Sequence, residues 1–145
     1  MTGARSGFIG LRRFVRHRRR GASAVEFAIV APVFFLLIFG MFEFGRMIMV
    51  QQLLTNAARS GARVAVIDGA TSSKATSTVQ KYLKGGSVDP KALTIKVTPR
   101  DLAKTDTGDA ISVAVSVPYD DISWLPAPWF LGGTTLKANC TMRRE

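Results

Sequence analysis

An almost unbroken apolar run from Ala22 to Val50 dominates the hydropathy pattern, and Glu26, Glu43 and Arg46 are its only charges. As a helix, such a stretch would rise roughly 43 Å at about 1.5 Å per residue. That exceeds a hydrocarbon core of about 30 Å, so the run can cross a bilayer and project beyond it. Inside lipid the backbone must satisfy its own hydrogen bonds, which makes a helix the expected state. Past the run the pattern turns two-sided. Gln52, Asn56, Arg59 and Arg63 mark a polar stripe, and Val50, Leu54, Ala57, Gly61 and Ala65 lie opposite it. The helix is expected to continue to about residue 67, where Asp68-Gly69 ends it.

Residues 71–84 predict a second, short helix on the surface of a sheet. Thr71 or Ser72 can cap its start, Val79 and Leu83 with Tyr82 can anchor it, and Gly85-Gly86 can close it. Three alternating runs then predict half-buried strands near 92–98, 110–117 and 134–142. Their inward sets are Leu93, Ile95 and Val97; Ile111, Val113, Val115 and Val117; and Leu136, Ala138, Cys140 and Met142. Pro99 and Pro118 close the first two, because proline cannot continue a ladder. The economical fold is α+β: a long N-terminal transmembrane helix extends into a small exported domain. That domain holds a second short helix and a three-stranded antiparallel sheet packed on the long helix. The expected organisation is a basic cytoplasmic leader (1–21), a transmembrane helix (22–50) and an exported domain (51–145).

Charge fixes the expected direction of crossing. Residues 1–21 carry seven arginines and no acid, whereas Arg59 and Arg63 are the only basic groups in the twenty residues after the run. The N-terminus is therefore expected in the cytoplasm. The leader supplies +7 of the net +10, and residues 22–145 carry 13 basic against 10 acidic groups. The basic balance is thus no sign of nucleic-acid binding, and none is expected. Phe8, Ile9, Leu11, Phe14 and Val15 interleave with arginines, as in a short interfacial helix.

Within the run, Pro32 predicts a kink, a locally unwound turn or a neutral bend. Glu43 and Arg46, at i and i+3, can pair on one face near the outer interface. The small residues Ala57 and Gly61 can admit a neighbouring helix in an assembly or this protein's own sheet. Assembly contacts are expected near the membrane and core contacts past Gly61.

Catalytic chemistry finds little material. The only histidine, His17, lies in the arginine block, so no serine or cysteine triad and no zinc cluster is expected in the exported domain. The single Cys140 excludes an intrachain disulfide and falls on the apolar side of its strand. Asp120 and Asp121 lack further regularly spaced oxygen ligands and are expected to be solvated turn residues. Trp124, Trp129 and Phe130, in the loop from Pro118 to Gly133, can cover the sheet, rest at the membrane surface or dock on a partner. No cofactor or metal is expected.

Glu26 remains. A carboxylate at the entry of a membrane helix costs several kcal/mol unless it neutralises, snorkels or meets a cation. It could be an interfacial residue held near the arginines. It also stands five residues after Gly21, which closes the basic block, and this resembles the processing site of type IV prepilins. Reading on, Gly21-Ala-Ser-Ala-Val-Glu-Phe-Ala-Ile-Val-Ala-Pro32, Phe42-Glu-Phe-Gly-Arg46 and Gln51-Gln-Leu-Leu-Thr-Asn-Ala-Ala-Arg-Ser-Gly-Ala-Arg63 resemble the TadE-like family, pseudopilins of the tight-adherence (Tad) pilus. The resemblance covers roughly residues 19–66 and implies a pilin-like fold and a non-enzymatic minor pseudopilin. It implies cleavage between Gly21 and Ala22 by a prepilin peptidase. Assembly would run through Glu26, Phe27, Pro32, Ala57 and Gly61, with the bilayer, other Tad pilins and an inner-membrane platform as partners. The competing expectation is an uncleaved single-pass anchor presenting a binding or scaffold module.

Overall fold

The computed structural model describes residues 17–124 and 132–144, with side chains from Gly21 onward. Two helices precede a three-stranded sheet: α1 (His17–Ala65), α2 (Ser72–Gly85), β1 (Thr94–Thr98), β2 (Ala110–Pro118) and β3 (Thr135–Arg143). Short 3-10 turns occupy Pro90–Ala92, Leu102–Lys104 and Tyr119–Asp121. The chain forms two compact units, one ending at Phe39 and one running from Gly40 to Glu145. The basic block through Arg16, the interfacial helix expected there, and Trp129 and Phe130 lie outside the described residues.

In the first unit the described residues are all helical, and the helix is continuous through Pro32, with no unwound turn. Its large apolar side chains, from Val25 through Phe39, are exposed almost without exception. A stretch from Gly21 onward is long and apolar enough to cross a membrane. An apolar helix covered by none of the described residues matches a lipid-facing segment rather than the core helix of a soluble protein.

The second unit builds its core on the last five turns of α1. Val50, Leu54, Ala57, Ala58, Ala62 and Ala65 are buried, while Gln52, Asn56, Arg59 and Arg63 on the other stripe are exposed. The sheet is an antiparallel meander in the order β1-β2-β3. Its central strand supplies the largest inward set, with Ile111, Val113, Val115 and Val117 all buried. Register places Val113 between Val97 and Cys140, and Val115 between Ile95 and Ala138, so the inward residues form continuous rows. The other face of the sheet carries Thr94, Lys96, Ser116, Lys137 and Asn139. Alternation therefore resolves into one buried and one wet face.

Local chemistry sets the ends of α2. Thr71 accepts from the Lys74 amide at 3.2 Å, an N-cap that satisfies one free donor of the first turn. Gly86 ends the helix, its amide donating to the Leu83 carbonyl at 2.9 Å. Ala75, Val79 and Leu83 recur every four residues and bury the inner face. Tyr82 does not join them: it is exposed, because that stripe is complete without it.

The small residues of α1 find their use inside this unit. A Cβ on Gly61 would lie 2.5 Å from Val79 Cγ2 and 3.4 Å from Val113 Cγ1, so glycine lets α1 meet α2 and β2 at once. Ala57 is fully buried as well. Of the two expectations for Ala57 and Gly61, this packing is the contact with the protein's own core. Small size here serves intramolecular contact, and neither residue offers a surface.

The Asp68-Gly69 turn, which follows α1 after its end at Ala65, is tied to Arg144 beyond β3. Arg144 donates to Asp68 Oδ1 at 2.9 Å and also to the Leu102 carbonyl and Thr105 Oγ1. The Arg144 hydrogen bond, then the Gly69 amide, lowers the Asp68 pKa below its ordinary value.

Gly61→Leu is expected to destabilise the full chain in detergent by about 1–3 kcal/mol or more, through overpacking of a filled core. Gly85→Leu, where an added Cβ meets nothing within 4 Å, is expected to change stability by less than about 1 kcal/mol. Chemical denaturation of both variants measures the difference.

Candidate functional site

Two sets of residues on α1 carry the candidate chemistry, one in each unit. In the first unit Gly21, Ala22, Glu26 and Phe27 are exposed. Ala22 and Glu26 are four residues apart, so they share one helix face one turn apart. Gly21 is helical, and a Cβ there would meet nothing within 4 Å. Packing among the described residues therefore gives no steric reason for glycine at this position. Pro32 is also exposed, one and a half turns beyond Glu26.

The second set is a polar clamp of Glu43 and Arg46 with the turn that follows β2. Both α1 side chains are buried, at 8% and 5% exposure, although each lies within the apolar run. The Glu43 carboxylate accepts from the Tyr119 hydroxyl (2.7 Å to Oε2) and from Ser123 Oγ (3.0 Å to Oε1 and 3.1 Å to Oε2). The Tyr119 hydroxyl also lies 2.9 Å from the Glu43 main-chain oxygen. Arg46 Nε donates to the Ile122 carbonyl at 3.2 Å, and its terminal nitrogen donates to the Ser87 carbonyl at 3.3 Å. Its guanidinium stands 5.0 Å from the Trp124 ring centroid, a cation–π distance.

The turn is shaped to offer these groups. Pro118 ends β2, Tyr119–Asp121 form one 3-10 turn, and the amides of Ile122 and Ser123 both donate to the Tyr119 carbonyl at 3.0 Å. Asp120 closes the base of the loop by accepting from the Gly133 amide at 3.1 Å. It is thus a turn-closing acceptor more than a merely solvated acid. Burial pushes the Tyr119 pKa well above that of a free phenol, and the Glu43 hydrogen bond and charge push it further. Tyr119 therefore remains a protonated donor at neutral pH.

The expected Glu43–Arg46 pair does not form. Among the described residues the ion pairs are Lys104–Asp101 and Arg144–Asp68. Each member of the expected pair is engaged instead by the turn after β2 and by Ser87. Burial makes these partners matter: a desolvated carboxylate left without donors is costly, and the two hydroxyls supply them. Tyr119 and Ser123 were not singled out by the sequence reading. A charged Glu inside an apolar run was their only signal, and it does not say which distant residue answers it. Trp124 is 67% exposed, so it does not cover the sheet.

Residues 21–63 match the family model described as TadE-like protein. No curated protein and no solved structure matches the chain. The matched segment includes Gly21 and Glu26, both clamp residues of α1, and Ala57 and Gly61 of the core.

Tyr119→Phe is expected to leave Glu43 short of its best donor and to destabilise the second unit by about 1–3 kcal/mol. Glu43→Ala, which removes the anion too, is expected to free the turn and raise the hydrogen exchange of the Ile122 and Ser123 amides. Exchange mass spectrometry and denaturation of the full chain check both.

Proposed function

We propose that the chain is a TadE-like minor pseudopilin, a non-enzymatic component of Tad pilus assembly, secretion and surface attachment. The observation that carries this reading is the TadE-like match over 21–63, which begins at the glycine of the processing motif. The long apolar helix gives the coarser conclusion, membrane anchoring or export. The finer one is a single-pass protein of the bacterial inner membrane, N-terminus in the cytoplasm and globular unit outside. It can also be incorporated in a pilus. Its partners on this reading are the bilayer, a prepilin peptidase, other Tad pilins and pseudopilins, and an inner-membrane assembly platform.

Two features support processing after Gly21. Glycine there answers no contact among the described residues, which is consistent with close approach by a peptidase backbone. Glycine also weakens the helix locally, by about 1 kcal/mol relative to alanine, which eases opening of a helical cleavage segment. After cleavage Ala22 would carry a positive α-amine, and Glu26 lies one turn away on the same face. In lipid such a pair, within one subunit or between two, is worth more than in water.

The crossing itself is best placed at 22–42. That stretch would rise about 31 Å, close to a hydrocarbon core of about 30 Å. The burial of Glu43, Arg46 and Val50 within the second unit supports an outer limit just before Glu43 instead of at Val50.

Intact mass and N-terminal sequencing of the membrane-bound protein, with and without active prepilin peptidase, test the reading. The expected mature form starts at Ala22 and is seen only with active peptidase. Retention of residues 1–21 in both conditions would leave an uncleaved anchor with an exported module. Glu26→Ala is expected to insert normally yet fail to co-purify with pilus partners, and unchanged co-purification would remove the charge-pairing role.

A further inference from the structure

We propose that the edge of β3 left unpaired by any strand among the described residues, with the arginine-lined groove beside it, receives an extended acidic segment of a partner protein by strand addition. The sheet order makes β3 an edge strand, hydrogen-bonded on one side to β2. Gln51 Nε2 donates to the Lys137 carbonyl at 2.9 Å, which shows that this carbonyl points away from β2. In an antiparallel strand the outward-pointing main-chain groups recur at every second residue. The N–H and C=O groups of Asn139, Thr141 and Arg143 therefore point outward with Lys137. The opposite parity is bonded inward, as the Arg144 amide to the Asp109 carbonyl at 2.9 Å and the Tyr119 amide to the Thr134 carbonyl at 2.7 Å confirm.

α1 runs beside this edge. From Gln51 to Arg63 the helix rises about 18 Å, and from Lys137 to Met142 the strand advances about 17 Å. Contact at Gln51–Lys137 at one end therefore leads to Arg63 near Met142 at the other. There a groove of about 840 Å³ opens, lined by Asn56, Arg59, Arg63, Val64, Ile67 and Met142 among others. Arg59 and Arg63 are one helical turn apart and exposed, and neither takes part in either of the ion pairs among the described residues. Among the described residues, no acidic one lines the groove. Ile67 remains 57% exposed at its end.

These features select the occupant. An alternating row of outward-pointing donors and acceptors is matched by another peptide backbone. Two arginines one turn apart beside that row favour carboxylates on the added strand. The same charges disfavour a second copy of this chain, since pairing two β3 edges would bring two arginine grooves together with Lys137 and Arg143. The proposal stands on the second unit alone and holds whether or not residues 1–21 are removed.

The test uses the full chain in detergent and a ten-residue peptide of alternating Glu and Val as the probe. Amide exchange is expected to slow at Asn139, Thr141 and Arg143 on binding, with little change at the already bonded Cys140 and Met142. Arg59→Ala with Arg63→Ala is expected to weaken binding about tenfold or more. The same peptide N-methylated at every second residue keeps its charge but cannot form the ladder, and it is expected not to protect these amides. Equal protection by the N-methylated peptide, or none by the unmodified one, would overturn strand addition. Protection of the same amides by a single-stranded DNA decamer as strong as that by the acidic peptide would overturn the choice of a peptide partner.

Discussion

The second unit depends on how a carboxylate placed inside an apolar helix is made tolerable. Glu43 lies in a run that otherwise suits lipid, and an unpaired buried carboxylate costs several kcal/mol. Tyr119 and Ser123 supply hydroxyl donors to both of its oxygens, and Arg46 binds the main chain of the same turn one helical turn later. Since both donors follow the central strand directly, the clamp ties the sheet to α1 at the point where the second unit begins. The arrangement is asymmetric in energy. Made, it contributes like other charge-assisted hydrogen bonds; broken on one side, it strands a charge.

That clamp has a consequence for the membrane. A helix gripped from Glu43 onward cannot bury the same turn in hydrocarbon on its gripped face. The first large apolar side chains past the proposed crossing, Phe44, Ile48 and Met49, are exposed on the faces the unit leaves open. The globular unit would then rest close to the bilayer, with Trp124 stacked on Arg46 at the same level of the helix. Indole rings favour that zone. Function on this account comes from one continuous helix with three successive environments: a processing segment, a lipid-facing stretch, and the spine of a folded unit.

Much of the fold was legible because its signals are local. Alternation over Ile111–Val117 requires one wet and one dry face, and Thr71 with Gly86 marks both ends of α2 by cap chemistry. The polar stripe of Gln52, Asn56, Arg59 and Arg63 likewise reads directly from helical period. What was not legible depended on distant partners. Glu43 and Tyr119 are 76 residues apart in sequence, so a local rule offered Arg46 as partner and was wrong. Ala57 and Gly61 suit any close neighbour, and only the arrival of Val79 and Val113 beside Gly61 decides for the core. Tyr82 looked like an anchor by position but had no gap to fill. The spacing of Gly21 and Glu26, on which the proposed processing rests, is likewise a local signal.

The most direct measurement is the water accessibility of α1 in vesicles containing only this protein. Single cysteines would be placed at Phe35 and Ile48 in a Cys140→Ser background, and a membrane-impermeant maleimide applied on the side of the globular unit. The account predicts that Ile48→Cys reacts in intact vesicles and that Phe35→Cys reacts only after detergent is added. Protection of Ile48→Cys until detergent is present would show that the crossing extends to Val50, and would contradict a unit clamped to its helix from Glu43 outside the bilayer.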